Sequence, residues 1–194
     1  MRRVFGQPGS DVRLEWCPEG GAALGAECGV LVVVDVLSFG TTVDVVLGRG
    51  GRVLPLRWRD SRAVEAAERA GAVLADRTQW TLRPSSVATI PAGERWGVDV
   101  LGDHGDGGAL RPCVEDQLGA GAVVDALLAA GAGEPSAEAA LAATAYRASD
   151  PVRALTECAS GRELAAAGHA GDVELARAVN VSPVAPLLID GVLG

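Results

Sequence analysis

The residue pattern that first invites chemistry is VVVDVLSFGTTVDV, in which Asp35 ends a β-branched run and Ser38, Gly40, Thr41 and Thr42 follow it directly. In open α/β sheets, ligands gather beyond the carboxyl ends of strands, where helix N-termini present free N–H groups and a partial positive charge. A carboxylate there repels phosphate unless a cation lies between them. Asp35 therefore reads as a magnesium ligand, with the backbone of Ser38, Gly40, Thr41 and Thr42 holding phosphate oxygens. The plainer alternative is that Asp35 caps its own turn. A second constellation is LRPCVEDQLGAG, where Glu115 and Asp116 open a helix just after Pro112. Adjacent helical residues diverge by about 100 degrees, so one of the pair can face the same metal as Asp35 while its neighbour positions water. Its alternative is a solvated first turn that complements the helix dipole. Arg95, in PAGERW, and Arg111 flank a Gly- and Asp-rich stretch and could clamp a dianion in bidentate fashion.

Composition removes several rival chemistries. The 17 basic residues are all arginine. Without lysine, neither a P-loop nor a Schiff-base enzyme is possible. The residue two beyond Asp35 is Leu37 and not the second aspartate of an aspartyl-phosphate enzyme, and no cysteine is followed at the sixth position by arginine. A covalent phosphoenzyme is thereby disfavoured, and metal-assisted attack by water remains. The net charge of -8 and the scattered arginines argue against nucleic acid or an anionic membrane as partners. A small anionic substrate stays compatible, because a few arginines converging on one pocket can outweigh global charge. Cys17, Cys28, Cys113 and Cys158 show no C-x-x-C spacing, and neither His104 nor His169 suggests a zinc knuckle. They are expected to be reduced, structural thiols. The start, MRRVFGQPGSD, has no apolar h-region, and the longest apolar run, Val30 to Val34, is far too short to span a bilayer. The expected location is the cytoplasm.

The elements that must position these residues follow from periodicity. With 48% hydrophobic and only 4% aromatic residues in a chain of 194, the core must be built from Val, Leu and Ala, which favours helices packed on a sheet in a single domain. Val12 to Trp16 alternates as a short strand, and Val30 to Leu37 reads as a strand buried on both faces. Ser38 is expected to cap a helix to about Leu47. Arg52 to Trp58 reads as a strand, Asp60 or Ser61 caps a helix up to Gly71, and Ala72 to Asp76 is a further strand. Such alternation predicts an α/β fold, a three-layer α/β/α arrangement with a parallel or mixed sheet. Val87 to Ile90 is a candidate strand and residues 97 to 109 a mobile loop. Val114 to Ala130 reads as a helix in which Gly119 and Gly121 either allow close packing or mark a break. Helices are expected at Ser136 to Ala148, at Pro151 to Ala167 with an interruption near Ser160, and at Asp172 to Val179. Ala185 to Asp190 is the last expected strand.

The segments VRLEW and CPEG, the VVVDVLSFGTTVDV run, PLRW, PAGERW, the LRPCVEDQLGAGAVVDALL helix and the tail SGRELAAAGHAGDVELARAVNVSPVAPLLIDG together resemble the 2-phosphosulfolactate phosphatase family, in that family's order. The tail is the most specific part, since nothing generic to helices makes its Ser-Gly-Arg-Glu-Leu, Asp-Val-Glu-Leu and Pro-x-x-x-Asp-Gly elements co-occur. The resemblance implies a three-layer α/β fold, magnesium, and release of phosphate from a small sulfonated phosphoester, a step of coenzyme M biosynthesis in some organisms. Two departures stand out. Many members carry arginine where this chain has Ser38, and a few dozen residues common in the family are missing where Val87 runs straight into Ala88. Three readings follow: a magnesium-dependent phosphatase; a non-catalytic anion- or partner-binding member that keeps the fold; or a shortened chain whose exposed core drives formation of a homodimer or instability.

Overall fold

A computed structural model describes residues 5–55, 86–97 and 108–194. The chain falls into two compact units, Met1–Thr41 with Pro84–Val179, and Thr42–Arg83 with Asn180–Gly194. In the first, β1 (Val12–Leu14), β2 (Val30–Val34) and β3 (Val87–Pro91) form a parallel sheet in the order β1-β3-β2. Val87 lies in register with both Val12 and Val30. The expected α/β class with a parallel sheet is thus present, and the shortened junction at Val87 falls inside its central, fully buried strand. Helix α1 (Cys17–Leu24) connects β1 to β2, leaving a gap that β3 fills.

Side chains alternate across a strand, so the sheet feeds two different cores. Val12 and Leu14 pack with Ala120 and Val124 of α3 (Val114–Ala129) and with Ala139, Ala142 and Ala143 of α4 (Ala137–Ala148). Ala88 and Ile90 pack with Leu24 of α1. Both glycines of α3 serve close packing and do not break it: a Cβ on Gly119 would stand 2.7 Å from Val36 Cγ2, and one on Gly121 would collide with the Ala142 carbonyl.

Two expectations need correction. β2 is half-buried on one face and exposed on the other, where Leu31 is 41% and Val33 68% exposed; among the described residues it is an outer strand, paired with β3 alone. The cap after β2 is Asp35 and not Ser38. Asp35 starts a π-type turn over Val36–Gly40, and α2 (Thr41–Gly48) follows.

Towards the end of the first unit come α5 (Pro151–Glu157), α6 (Ala159–Ala166) and α7 (Ala170–Ala176). Asp150 caps α5 through the Arg153 amide. Cys158 ends α5 and its sulfur accepts from the Gly161 amide, so the expected interruption lies two residues before Ser160. In the second unit, β6 (Leu188–Ile189) and β7 (Val192–Leu193) form an antiparallel hairpin, shorter than the expected strand. Its tight turn puts Asp190 and Gly191 at φ values of 50° and 83°, the left-handed pair that a two-residue hairpin requires. Val53 bridges to Leu193. The rest of the expected strand at 52–58, the helix ending at Gly71, the strand at 72–76 and most of the loop at 97–109 lie outside the described residues. Among those described, no helix is long and apolar enough to cross a membrane.

Candidate active site

Asp116 organises the carboxyl edge of the sheet. It lies in the first turn of α3, 4% exposed, and its two oxygens accept from the Val36 and Gly93 amides, each at 2.8 Å. Val36 follows β2 and Gly93 follows β3, so one carboxylate ties together the loops leaving two adjacent parallel strands. Gly93 has a φ of 66°, and a Cβ there would stand 2.7 Å from Leu110 Cδ1, which favours glycine at this position.

Around this clamp other acids converge. Asp35 follows the end of β2; Glu115, 2% exposed, precedes Asp116; Glu94 begins β4 (Glu94–Arg95), just beyond β3. Burial raises the Asp35 carboxyl above its ordinary range against the pull of the Phe39 amide, and Glu115 adds to the rise. Burial also raises Glu94; Arg111 opposes it, while Asp35, Glu115 and Glu163 reinforce it. Asp116 is pushed up to about 7, again chiefly by burial, against its two amide partners and with help from Asp35 and Glu115. Mutual perturbation of this kind marks carboxylates that share one region. Two thiols border Glu115. Burial pushes Cys113 and Cys158 up to about 11, with the Glu115 charge contributing to both. All four cysteines are free, as expected.

The arginines part company. β4 pairs antiparallel with β5 (Leu110–Arg111) so that Glu94 stands opposite Arg111, and Arg95 opposite Leu110. Glu94 and Arg111 therefore share one face of the ribbon and Arg95 takes the other. Arg95 reaches Glu19 of α1 at 3.7 Å, whereas Arg111 donates to Ser160 at 3.4 Å and lies 5.9 Å from the centre of the Trp96 ring. Arg111 joins the acids; Arg95 does not.

The turn after β2 is less open to a ligand than its sequence suggests. The Phe39 amide donates to the Asp35 side chain at 3.3 Å, the Gly40 amide to the Asp35 carbonyl at 2.7 Å, and the Thr41 amide to the Ser38 carbonyl. The Thr41 hydroxyl donates to the Val36 carbonyl at 2.7 Å. Ser38, Gly40 and Thr41 thus stand close to Asp35 in the chain, with Thr42 next along α2, but the Phe39, Gly40 and Thr41 amides are already engaged.

Among the described residues no three His, Cys, Asp or Glu side chains form a ready cage for a metal ion. Magnesium does not demand one: it commonly takes one or two carboxylates and completes its shell with water and substrate phosphate. Asp35 and Glu115 offer that kind of oxygen donor. Asp116, with both oxygens accepting amides, is suited to hold the framework.

Glu94, Ser160 and Glu163 were not singled out as site residues from the sequence. The signal for Glu94 was the alternation of a strand end, which turns it and Arg95 to opposite sides; Ser160 and Glu163 belong to the Ser-Gly-Arg-Glu-Leu element. The family described as 2-phosphosulpholactate phosphatase matches residues 85–191, which include Glu94, Arg95, Arg111, Glu115, Asp116 and Ser160 but not Asp35 or the turn after it. No curated protein matches the chain. With more than half of its length covered by that match, the chain belongs to the 2-phosphosulpholactate phosphatase family.

Proposed function

We propose that this protein hydrolyses a small anionic phosphomonoester of the 2-phosphosulfolactate type with the help of magnesium held by Asp35 and Glu115. The carrying observation is the convergence of half-buried Asp35 and Glu94, beyond β2 and β3, with buried Glu115 and Asp116 of α3: Glu115 is 2% exposed, and Asp35, Glu94 and Asp116 are each raised in pKa chiefly by burial, with carboxylate neighbours adding to the rise. Buried like charges persist only when protonated or matched by a cation. When bound, magnesium supplies the positive charge that polarises the phosphoryl group. The chain's own residues do the rest. Asp116 fixes the loops that carry Asp35 and Glu94. Arg111 receives the second anionic group of the ester, and Glu94, opposite it in the ribbon, adds a favourable charge nearby. The turn from Ser38 to Thr41 offers phosphate few free amides, since those of Phe39, Gly40 and Thr41 have partners. Arg95 takes no part in the clamp. Attack is by water: its oxygen bonds to phosphorus as the ester P–O bond breaks, and the water's protons pass to leaving alkoxide and solvent.

One observation favours a different reading, a non-catalytic anion-binding member: among the described residues no three His, Cys, Asp or Glu side chains form a cage for a metal ion, while Arg111 can still pair with an anion. Phosphate release from a panel of small phosphomonoesters, with and without magnesium, separates the two. The phosphatase reading expects magnesium-dependent release from esters that carry a second anion. Ligand-induced thermal stabilisation with no release across the panel would replace it with the binding reading.

A further inference from the structure

Behind the Arg111 guanidinium three hydrogen bonds close a ring. Arg111 Nη2 donates to Ser160 Oγ at 3.4 Å, Ser160 Oγ donates to Cys113 Sγ at 3.9 Å, and Cys113 Sγ donates to the Arg111 carbonyl at 3.3 Å. The directions are mutually consistent, because a serine hydroxyl and a thiol can each accept once and donate once, while arginine only donates. Ser160 is 1% and Cys113 3% exposed, so water does not compete for these bonds. Each bond is long and individually weak; what fixes the arginine is closure of the ring, together with the exposed Trp96 ring that the guanidinium overlies. The other N–H groups of the fork can then be aimed at a ligand without the entropy cost of ordering a long side chain.

We propose that Ser160 is a positioning residue for the anion site: it holds Arg111 so that the guanidinium meets the second anionic group of the phosphomonoester, and thereby sets the preference for doubly anionic ligands. This rests on the reading that Arg111 binds substrate. A serine kept merely because it is small would be replaced by alanine without consequence for affinity.

The test is calorimetric titration in magnesium buffer of 2-phosphoglycolate, which carries a second anion, and of methyl phosphate, which does not. The proteins are the full chain, Arg111→Gln, Ser160→Ala and Cys113→Ala, with Ser136→Ala as a control that weakens a helix cap elsewhere in the same unit. Ser160→Ala and Cys113→Ala are each expected to weaken 2-phosphoglycolate about fivefold, the scale of one neutral hydrogen bond, and to leave methyl phosphate unchanged. Arg111→Gln should exceed them with the same selectivity, and Ser136→Ala should change neither ligand. If Arg111→Gln leaves both affinities intact, or if the wild type binds neither ligand, the substrate role of Arg111 fails and this inference with it. If Arg111→Gln is selective but Ser160→Ala binds like wild type, or weakens both ligands equally, the role of Ser160 alone is overturned. Should Ser160→Ala not fold, Cys113→Ala decides by the same criteria, since it opens the ring from its far side.

Discussion

Helix α4 begins with Ser136, whose hydroxyl accepts from the Ala139 amide, and its first-turn acid Glu138 is exposed; α3 begins at Cys113 with no side-chain cap, and both its first-turn acids are almost wholly buried. Ordinary helix physics explains α4: a capped end and an exposed acid near the positive pole of the dipole. It does not explain α3. A dipole effect is worth at most about 2 kcal/mol, whereas burying carboxylates costs several kcal/mol per ion. The acids of α3 are therefore there for other elements: Asp116 for the loops after β2 and β3, and Glu115 for the charge it shares with Asp35. Two helix starts in one unit, each with an acid in its first turn, thus differ: one is accounted for by helix stability alone, and the other supports the proposal of a site.

The contrast can be broken most sharply at Glu115. Glu115→Gln keeps the shape and removes the charge; phosphate release should fall about a thousandfold, equivalent to about 4 kcal/mol, with the folded circular dichroism spectrum retained. Undiminished release in that variant would reduce Glu115 to packing. Asp116→Ala should act on the fold instead, because it strands the Val36 and Gly93 amides; urea unfolding should show a loss of about 3 kcal/mol.

A third test uses pH on protein freed of divalent ions. Asp35, Glu94 and Asp116 all have folded-state pKa values raised by burial, Asp116 to about 7 from an ordinary 3.8. A raised acid binds more protons folded than unfolded, so its contribution is full below the unfolded pKa and is lost as pH climbs through the folded one. Urea midpoints should therefore fall from pH 5 to pH 7.5, by on the order of 2 kcal/mol in stability. A rise over that window would show that the acids are not held in an unfavourable field. Smallest of all, Ser136→Ala should cost about 1 kcal/mol of stability and leave phosphate release untouched.

The legible parts of the molecule were those that local pattern decides. The β-branched run of β2 and the helix from Ser136 follow from neighbouring residues, whereas the glycines of α3, open in the sequence between close packing and a break, are decided by Val36 and Ala142 from other elements. The placing of Asp35 at a strand end was legible too, and so was its alternative as a cap; the structure shows the cap directly. What sequence could not supply were relations between distant residues. Asp116 meets Val36 across 80 positions and Gly93 across 23, so nothing near it in the chain distinguished it from Glu115. The exposed face of β2 depends on which strands lie beside it, a property of sheet order and not of composition. Arg95 and Arg111 looked alike until the two-residue ribbon of β4 and β5 set Arg111 opposite Glu94 and sent Arg95 towards Glu19.

Asp35 carries the central claim, and Asp35→Asn isolates it, because asparagine caps the turn as well as aspartate does but offers no charge. Magnesium titrations of phosphate release from 2-phosphoglycolate should saturate for the wild type and show no magnesium response for Asp35→Asn, at equal thermal stability of the two proteins. Equal magnesium-dependent release from both would contradict the claim that this carboxylate holds the cation on which hydrolysis depends.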